Sequence, residues 1–288
     1  MRVTTKMLHD DALRNLQANA SRMSLAQERV STGRRINRPS DDPGQTWTAL
    51  KLRDAISELE QYVRNIDGAD RTMSASENAL GSAGDMLQRA RELAVQGANG
   101  ALSPSDRQAI AKEVDQLTAA LLAQTQAKSA GSYLFSGFQT NTAPYATATG
   151  AYQGDSGAIM MRTGTSGTVK TNVTADVAFA PALAALVALS GELNAGTQVS
   201  GATLTAVDTG LNALISARAE IGARQNRLAE ARTYLDDGIF TSTRLLSELE
   251  DADMPEAIMD LTQRESMYEA ALRVNARILQ TTLLDVLR

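Results

Sequence analysis

Apolar residues recur at every seventh position over much of the chain. The clearest run is Leu52, Leu59, Ile66, Met73, Leu80 and Leu87, and the next step falls on the small Ala94. A seven-residue step keeps one stripe of a helix turned toward a partner, so the run predicts a single helix from Pro43 to about Gly97. At ~1.5 Å per residue such a rod would reach roughly 80 Å. Asp41 or Asp42 can accept from the first free N–H groups, and Pro43 suits the first helical position. Ile56 and Val63 complete the other half of the seam, but Asp70, Glu77, Gly84 and Arg91 occupy its later turns. Polar residues there point to a mixed bundle or a polymer interface rather than a two-stranded coiled coil.

A shorter stripe precedes the rod. Leu16, Met23 and Val30 are seven apart, Leu13 and Ala20 supply the other half, and Gln27 interrupts it. This predicts a helix from Thr5 to Thr32, closed by Gly33 with Arg29 in its last turn. After the rod, Ser103 caps a third helix through Ile110, Val114, Leu117 and Leu121 to about Lys128, which folds back antiparallel on the rod. Val207, Leu214, Ile221, Leu228 and Leu235 mark a fourth, from about Leu204 to Asp251, with a break at Ser242. Pro255 separates a last helix, about Glu256 to Leu287, whose stripe is Leu261, Tyr268, Leu272, Leu279, Leu283 and Val286. The first and last stripes have no evident partner within the chain. An isolated helix with one apolar seam is only partly ordered in water. These arms are therefore expected to be mobile in the monomer and to pack on other chains.

Residues 129–200 break the helical pattern. Only Asp155, Arg162, Lys170, Asp176 and Glu192 are charged there, and Tyr133, Phe135, Phe138, Tyr145, Tyr152 and Phe179 are concentrated there. Short runs at Tyr133–Phe138, Ala158–Arg162 and Thr168–Val173 read as strands, and Pro181–Leu189 as a short helix. The stretch is a small β-rich insert with its own core, or a disordered Gly/Thr linker. The fold class is thus mainly α, a long antiparallel helical bundle or coiled-coil rod with a small β-rich insert. Its organisation is an N-terminal arm and corner (1–42), outgoing and return helices (43–128), the insert (129–200), a returning helix (201–254) and a C-terminal helix (255–288).

Charge sharpens the corner between arm and rod. The net charge is −5, yet residues 1–38 carry eight Arg and Lys against Asp10, Asp11 and Glu28. Residues 248–260 carry six acids and no base. The two regions can attract each other within or between chains, or stand as separate solvated faces. Arg34, Arg35 and Arg38 of the corner are expected to meet acidic groups, with Asp41 and Asp42 starting the rod. The arginines come without stacking aromatics in an acidic chain, which disfavours nucleic-acid binding.

Catalytic chemistry is sparse. Cysteine is absent, which removes disulfides, thiolate metal sites and a Cys nucleophile. His9 is the one histidine, and a metal or catalytic role would need partners that the sequence does not offer. There is no phosphate-binding Gly loop and no nucleophile elbow. The acidic run lacks the spacing of a calcium loop. No cofactor, metal or enzymatic role is expected. No apolar run is long enough to span a membrane, and the polar opening lacks the apolar centre of a cleavable signal.

The opening residues 1–8 and Asn15-Leu16-Gln17, together with Ser31-Thr32-Gly33-Arg34-Arg35-Ile36-Asn37-Arg38-Pro39-Ser40-Asp41-Asp42-Pro43, resemble the flagellin superfamily. So do Tyr133-Leu134-Phe135-Ser136-Gly137, Tyr152-Gln153-Gly154-Asp155, residues 217–224, Asp251-Ala252-Asp253, and Ile278-Leu279-Gln280 with Leu283-Leu284-Asp285. The corner, the compact insert and the ending resemble the hook–filament junction branch more than filament flagellin, which stays the alternative. The resemblance implies a secreted structural subunit, exported through the flagellar type III channel. It would self-associate in a ring or tube and contact a neighbouring hook-associated protein and flagellin, with an export chaperone on the C-terminal helix. The implied assembly interface comprises Leu13, Leu16, Met23, Val30, Arg34, Arg35, Arg38, Asp41, Asp42, Tyr268, Leu272, Leu279, Leu283 and Val286. An intracellular coiled-coil binding module is a further alternative, and a hydrolase in the insert is disfavoured by its lack of His and Cys.

Overall fold

The computed structural model describes residues 5–165 and 167–286, with side chains described at residues 7, 10–165 and 167–277. Seven helices are found among them: α1 (Thr5–Thr32), α2 (Pro43–Gly97), α3 (Pro104–Thr125), α4 (Ala175–Ala178), α5 (Ala180–Asn194), α6 (Gly201–Glu250) and α7 (Met254–Val286). Two hairpins lie between α3 and α4: β1 (Lys128–Ser129) with β2 (Ser132–Tyr133), and β3 (Met160–Arg162) with β4 (Thr168–Lys170). The mainly helical fold class holds. The chain divides into two compact units, Met1–Glu58 with Gly238–Arg288, and Leu59–Asp237.

In the Leu59–Asp237 unit, α2 and α6 lie antiparallel. Arg91 pairs with Asp208 at 2.6 Å, Glu77 with Arg218 at 2.5 Å, and Asp67 with Arg232. Ile66, Met73, Leu80, Leu87 and Ala94 are buried on α2, and Val207, Leu214, Ile221, Leu228 and Leu235 on α6. The second row of the α2 seam is not the one expected. It is Tyr62, Ala69, Ser76, Ala83, Ala90 and Gly97, all buried. Small side chains leave room for the large row of a neighbouring helix. Glu77 and Arg91 flank the seam and pair with basic and acidic partners on α6, while Asp70 accepts from Gln225 at 3.2 Å. Polar residues in the later turns thus belong to pairing within the chain.

Ser103 and Asp106 form a reciprocal capping box that starts α3. The α3 helix packs antiparallel on α5, with Asp115 taking a hydrogen bond from Ser190 and Asn194 O one from Gln108 at 3.3 Å. The insert holds less strand than expected. Only Tyr133 of the first predicted run pairs, and three residues of each of the other two, and 134–159 is largely irregular. The β1–β2 turn places Ala130 at φ 47° and Gly131 at φ 87°, the two left-handed positions of a tight hairpin. Nor does the insert keep a separate core. Phe135 and Phe179 meet edge to face at 4.9 Å and join Leu80, Leu87, Leu121 and Leu214 in one buried cluster. Residues 129–200 span too few strands to enclose their own aromatics, so these are buried against the helices.

Candidate assembly interface

The Met1–Glu58 and Gly238–Arg288 unit holds the corner and both terminal helices. Gly33 ends α1 at φ +68° and its N–H donates to Arg29 O at 2.9 Å, a left-handed helix end that glycine adopts without strain. The chain then runs alongside the end of α6. Arg35 N donates to Glu250 O at 2.6 Å, Ala252 N donates to Gly33 O at 2.9 Å, and Arg34 and Asp251 form an isolated antiparallel bridge.

Side chains reinforce this crossing. The Glu250 side chain is only 6% exposed; Arg53 reaches it at 2.6 Å and Arg34 at 3.8 Å. The Arg35 guanidinium donates to Leu249 O at 2.8 Å and covers a carbonyl that α6 leaves free at its end. Arg38 pairs with Glu28 at 2.9 Å. Asp41 accepts from the N–H groups of Asn37 and Arg38, and these two bonds hold its carboxyl below the usual carboxylate range. Asp42 Oδ1 accepts from Gln45 N at 3.0 Å and so caps α2. The three corner arginines and the aspartate pair are therefore brought together, and their partners lie on this same chain.

The terminal helices pair with each other. The α1 helix packs along α7, and Asn275 Nδ2 reaches Ala12 O at 3.4 Å. Shielded residues on α1 include Ala12, Leu16, Asn19, Met23, Ala26 and Val30, with Ala20 and Glu28 beside them, and on α7 Ala257, Leu261, Arg264, Tyr268, Ala271 and Asn275, with Asp260 beside them. Both series step by four and three, the spacing of an antiparallel coiled-coil seam. Leu16, Met23, Val30 and Tyr268 sit on it, half-buried. Leu13 and Leu272 do not: they are 43% and 42% exposed. The side chains of Leu279, Leu283 and Val286 lie outside the described residues, as does that of His9.

The seam is built largely from small and polar residues, while larger apolar ones face outward. Leu25, Ile258, Met259, Met267 and Val274 are 41–66% exposed. In the same unit Trp47 is 62% exposed with Lys51 Nζ 4.9 Å from its ring centroid, and Phe240 is 70% exposed. All but Ile258, which stands two heptads before Leu272, lie off the heptad rows that were read, so periodicity misses them; their signal is large apolar surface at positions where a solvated helix carries charge. Beside the corner an open cleft of about 480 Å³ has Arg29 and Arg35 on one wall and Asp253, Glu256 and Asp260 on the other. It gathers part of the basic arm and of the acidic run. No group of acids with metal-binding geometry is found among the described residues.

Residues 3–140 match the bacterial flagellin N-terminal helical region, and 204–287 the bacterial flagellin C-terminal helical region. The chain belongs to the bacterial flagellin family. Among curated members of this family, flagellar hook-associated protein 3 of Escherichia coli K12 is 26% identical over 95% of both chains. A 31.3 kDa flagellar filament core protein of Treponema maltophilum is 29% identical over 88% of both. A putative flagellar hook-associated protein of Vibrio parahaemolyticus has a solved structure that matches with TM-score 0.63 and 26% identity, over 73% of this chain and all of that one. The hook-associated protein 3 structure from Legionella pneumophila matches at TM-score 0.64 and 20% identity, over 69% of this chain and 98% of that one, a likeness of fold. In this flagellin-family chain the corner and paired terminal helices fall inside the two matched helical regions.

Proposed function

We propose that this chain is the junction subunit of the bacterial flagellum, an exported structural protein between hook and filament on which flagellin assembles. The observation that carries this reading is the end-to-end likeness to hook-associated protein 3, which includes the insert. A Clostridium tyrobutyricum flagellin is 37% identical, but over only 41% of this chain and 31% of its own length. The mechanism is packing, not catalysis. The corner fixes where the terminal helices leave α2 and α6. Their large outward side chains, Leu13, Leu25, Ile258, Met267 and Leu272, are then buried by neighbouring copies in a ring. Each contributes about 1.5–3 kcal/mol gross when fully buried. That gain offsets the ordering cost of arms that fold fully only against neighbours. One end of the ring meets the preceding hook-associated protein and the other meets flagellin. Before export the C-terminal helix is held by a chaperone that covers the same apolar surface.

The Treponema filament protein, alike over 88% of both chains, favours a second reading as a filament subunit. Deleting the gene separates the two. Loss of a junction subunit leaves hooks in place and releases unpolymerised flagellin into the medium. Loss of a filament subunit leaves no such flagellin. Labelling of the protein along the whole filament would refute the junction reading.

A further inference from the structure

We propose that a groove between α5 and residues 145–152 receives the Phe138 side chain of a second copy of this chain. The α5 helix carries no charge before Glu192 and is apolar on all sides. A helix of that kind belongs in a core. Its inner face, Leu183, Leu186, Leu189 and Leu193, is at most 2% exposed. On its outer face Ala184 and Ala188 are exposed and Val187 half-buried, beside a loop carrying Tyr145 and Tyr152. Between them lies an open groove of about 490 Å³, within the size range of sites for compact ligands.

The groove selects an apolar, ring-sized occupant. No charged side chain lines it, so a charged group would lose hydration without a partner. Tyr145 and Tyr152 form its aromatic wall, their ring centroids 5.6 Å apart and tilted by 50°. A third ring can add edge to face. The Tyr152 hydroxyl is engaged by Phe135 O and Asp155 O at 2.9 and 3.0 Å. Tyr145 is only 5% exposed, and its carbonyl accepts from Gln126 Nε2 at 2.9 Å.

Phe138 is the matching knob. It is 64% exposed, whereas Phe135 and Phe179 are fully buried. It is also fixed in place. Its N–H donates to Asp155 Oδ1 at 2.8 Å, Gly137 holds φ +67° against Asp155, and the ring lies on Gly157 where no Cβ would fit. A side chain held before binding loses little freedom on docking. Residues 129–200 are nearly uncharged, so two such segments meet without the repulsion that a chain of net charge −5 meets elsewhere. Phe138 does not line its own groove. Knob and groove at different places on one chain make a head-to-tail contact that repeats from copy to copy.

Absence of native cysteine makes the test clean. Full-length Gln139→Cys and Ala184→Cys chains, both keeping Phe138, are mixed and mildly oxidised, both in solution and in flagella of cells producing the pair; Gln139 is the exposed neighbour of the knob. A disulfide-linked dimer is expected from the mixture and from neither chain alone. Val177→Cys, 64% exposed but not lining the groove, should not link to Gln139→Cys. Plugging the groove with Ala188→Trp should cut the linked dimer at least about tenfold, as removal of a buried aromatic anchor does. Equal linking to Val177→Cys, or no link to Ala184→Cys in either setting, overturns the proposal. Failure of the junction reading would instead show as absence of the chain from the hook–filament boundary, whatever the links.

Discussion

Replacing Arg53 should harm the corner more than replacing Glu250, although the two form one ion pair. The reason lies in unequal burial. The Glu250 side chain is 6% exposed and the Arg53 side chain 45%. In Glu250→Gln the two arginines lose a partner but turn to water. The cost is one charge-assisted hydrogen bond, about 1.5 kcal/mol. In Arg53→Met the carboxylate stays buried, with Arg34 at 3.8 Å as its remaining cation. Stranding one member of a buried pair costs about 3 kcal/mol or more. The double variant Arg53→Met, Glu250→Gln removes the stranded charge and should return to within about 1 kcal/mol of Glu250→Gln alone.

Urea unfolding of the four proteins followed by circular dichroism measures the cycle. Hydrogen exchange gives a local reading at the Arg35 and Ala252 amides, which donate to Glu250 O and Gly33 O across the same crossing. Both amides should lose protection most in Arg53→Met and regain it in the double variant. Equal losses in the two single variants, or a double variant as unstable as the sum of both, would refute the account of Glu250 as the buried member.

Other parts of the structure set further tests. Gly210→Ala should destabilise the Leu59–Asp237 unit by about 1–3 kcal/mol, because its Cβ would come within 2.7 Å of Ala182 Cα and backbone must move; a melt unchanged from wild type would contradict the close α5–α6 approach. Ile258→Asp with Leu272→Asp, at positions 50% and 42% exposed, should change monomer stability by about 0.5 kcal/mol or less per site, yet abolish incorporation into flagella; electron microscopy and secretion assays check it, and normal incorporation would remove those residues from the interface. Burial pushes the Glu192 carboxyl up, but hydrogen bonds from the Ser200 N–H and the Ser200 and Thr203 hydroxyls outweigh it and leave the group below its ordinary range. With the folded value depressed, its stabilisation is present above the unfolded value of about 4.3 and is lost as pH falls through the folded one. Acid titration of the start of α6 by hydrogen exchange should show that loss in the wild type and not in Glu192→Gln.

How far the fold could be read from sequence follows from what a hydrophobic pattern records. Large residues at a fixed step are visible, so the α2 row from Ile66 to Leu87 and the α6 row from Val207 to Leu235 are legible. The complementary row on α2 is Tyr62, Ala69, Ser76, Ala83, Ala90 and Gly97, most of it too small to stand out. The row at i+4 stands out instead, and its Glu77 and Arg91 fit either a mixed bundle or a polymer interface in sequence; as partners of Arg218 and Asp208 they belong to the bundle. In the corner, charge and turn chemistry pointed to Gly33, Arg34, Arg35, Arg38 and Asp42, because capping and pairing depend on residue type at short range. That Arg53 supplies the shorter of the two ion pairs to Glu250 is not legible, since it depends on α6 returning beside α2.

The same distinction explains why the terminal stripes look unpartnered in sequence and are paired in the structure. Leu16, Met23 and Val30 do face an intrachain neighbour, but one that meets them with Ala257, Arg264, Ala271 and Asn275 among its six seam positions. In the Leu59–Asp237 unit the large apolar row is inside, with leucines and methionine at 0% exposure. In the terminal pair the sorting is weaker: Leu16, Met23, Val30, Leu261 and Tyr268 are half-buried, while Leu13, Leu25, Ile258, Met267 and Leu272 are 41–53% exposed. A pair that leaves so many large apolar side chains in water forgoes part of the available hydrophobic gain, at about 0.8 kcal/mol per CH₂ group. That arrangement supports the proposal of a pair completed from outside, and the Glu250 clasp fixes where both helices join the corner.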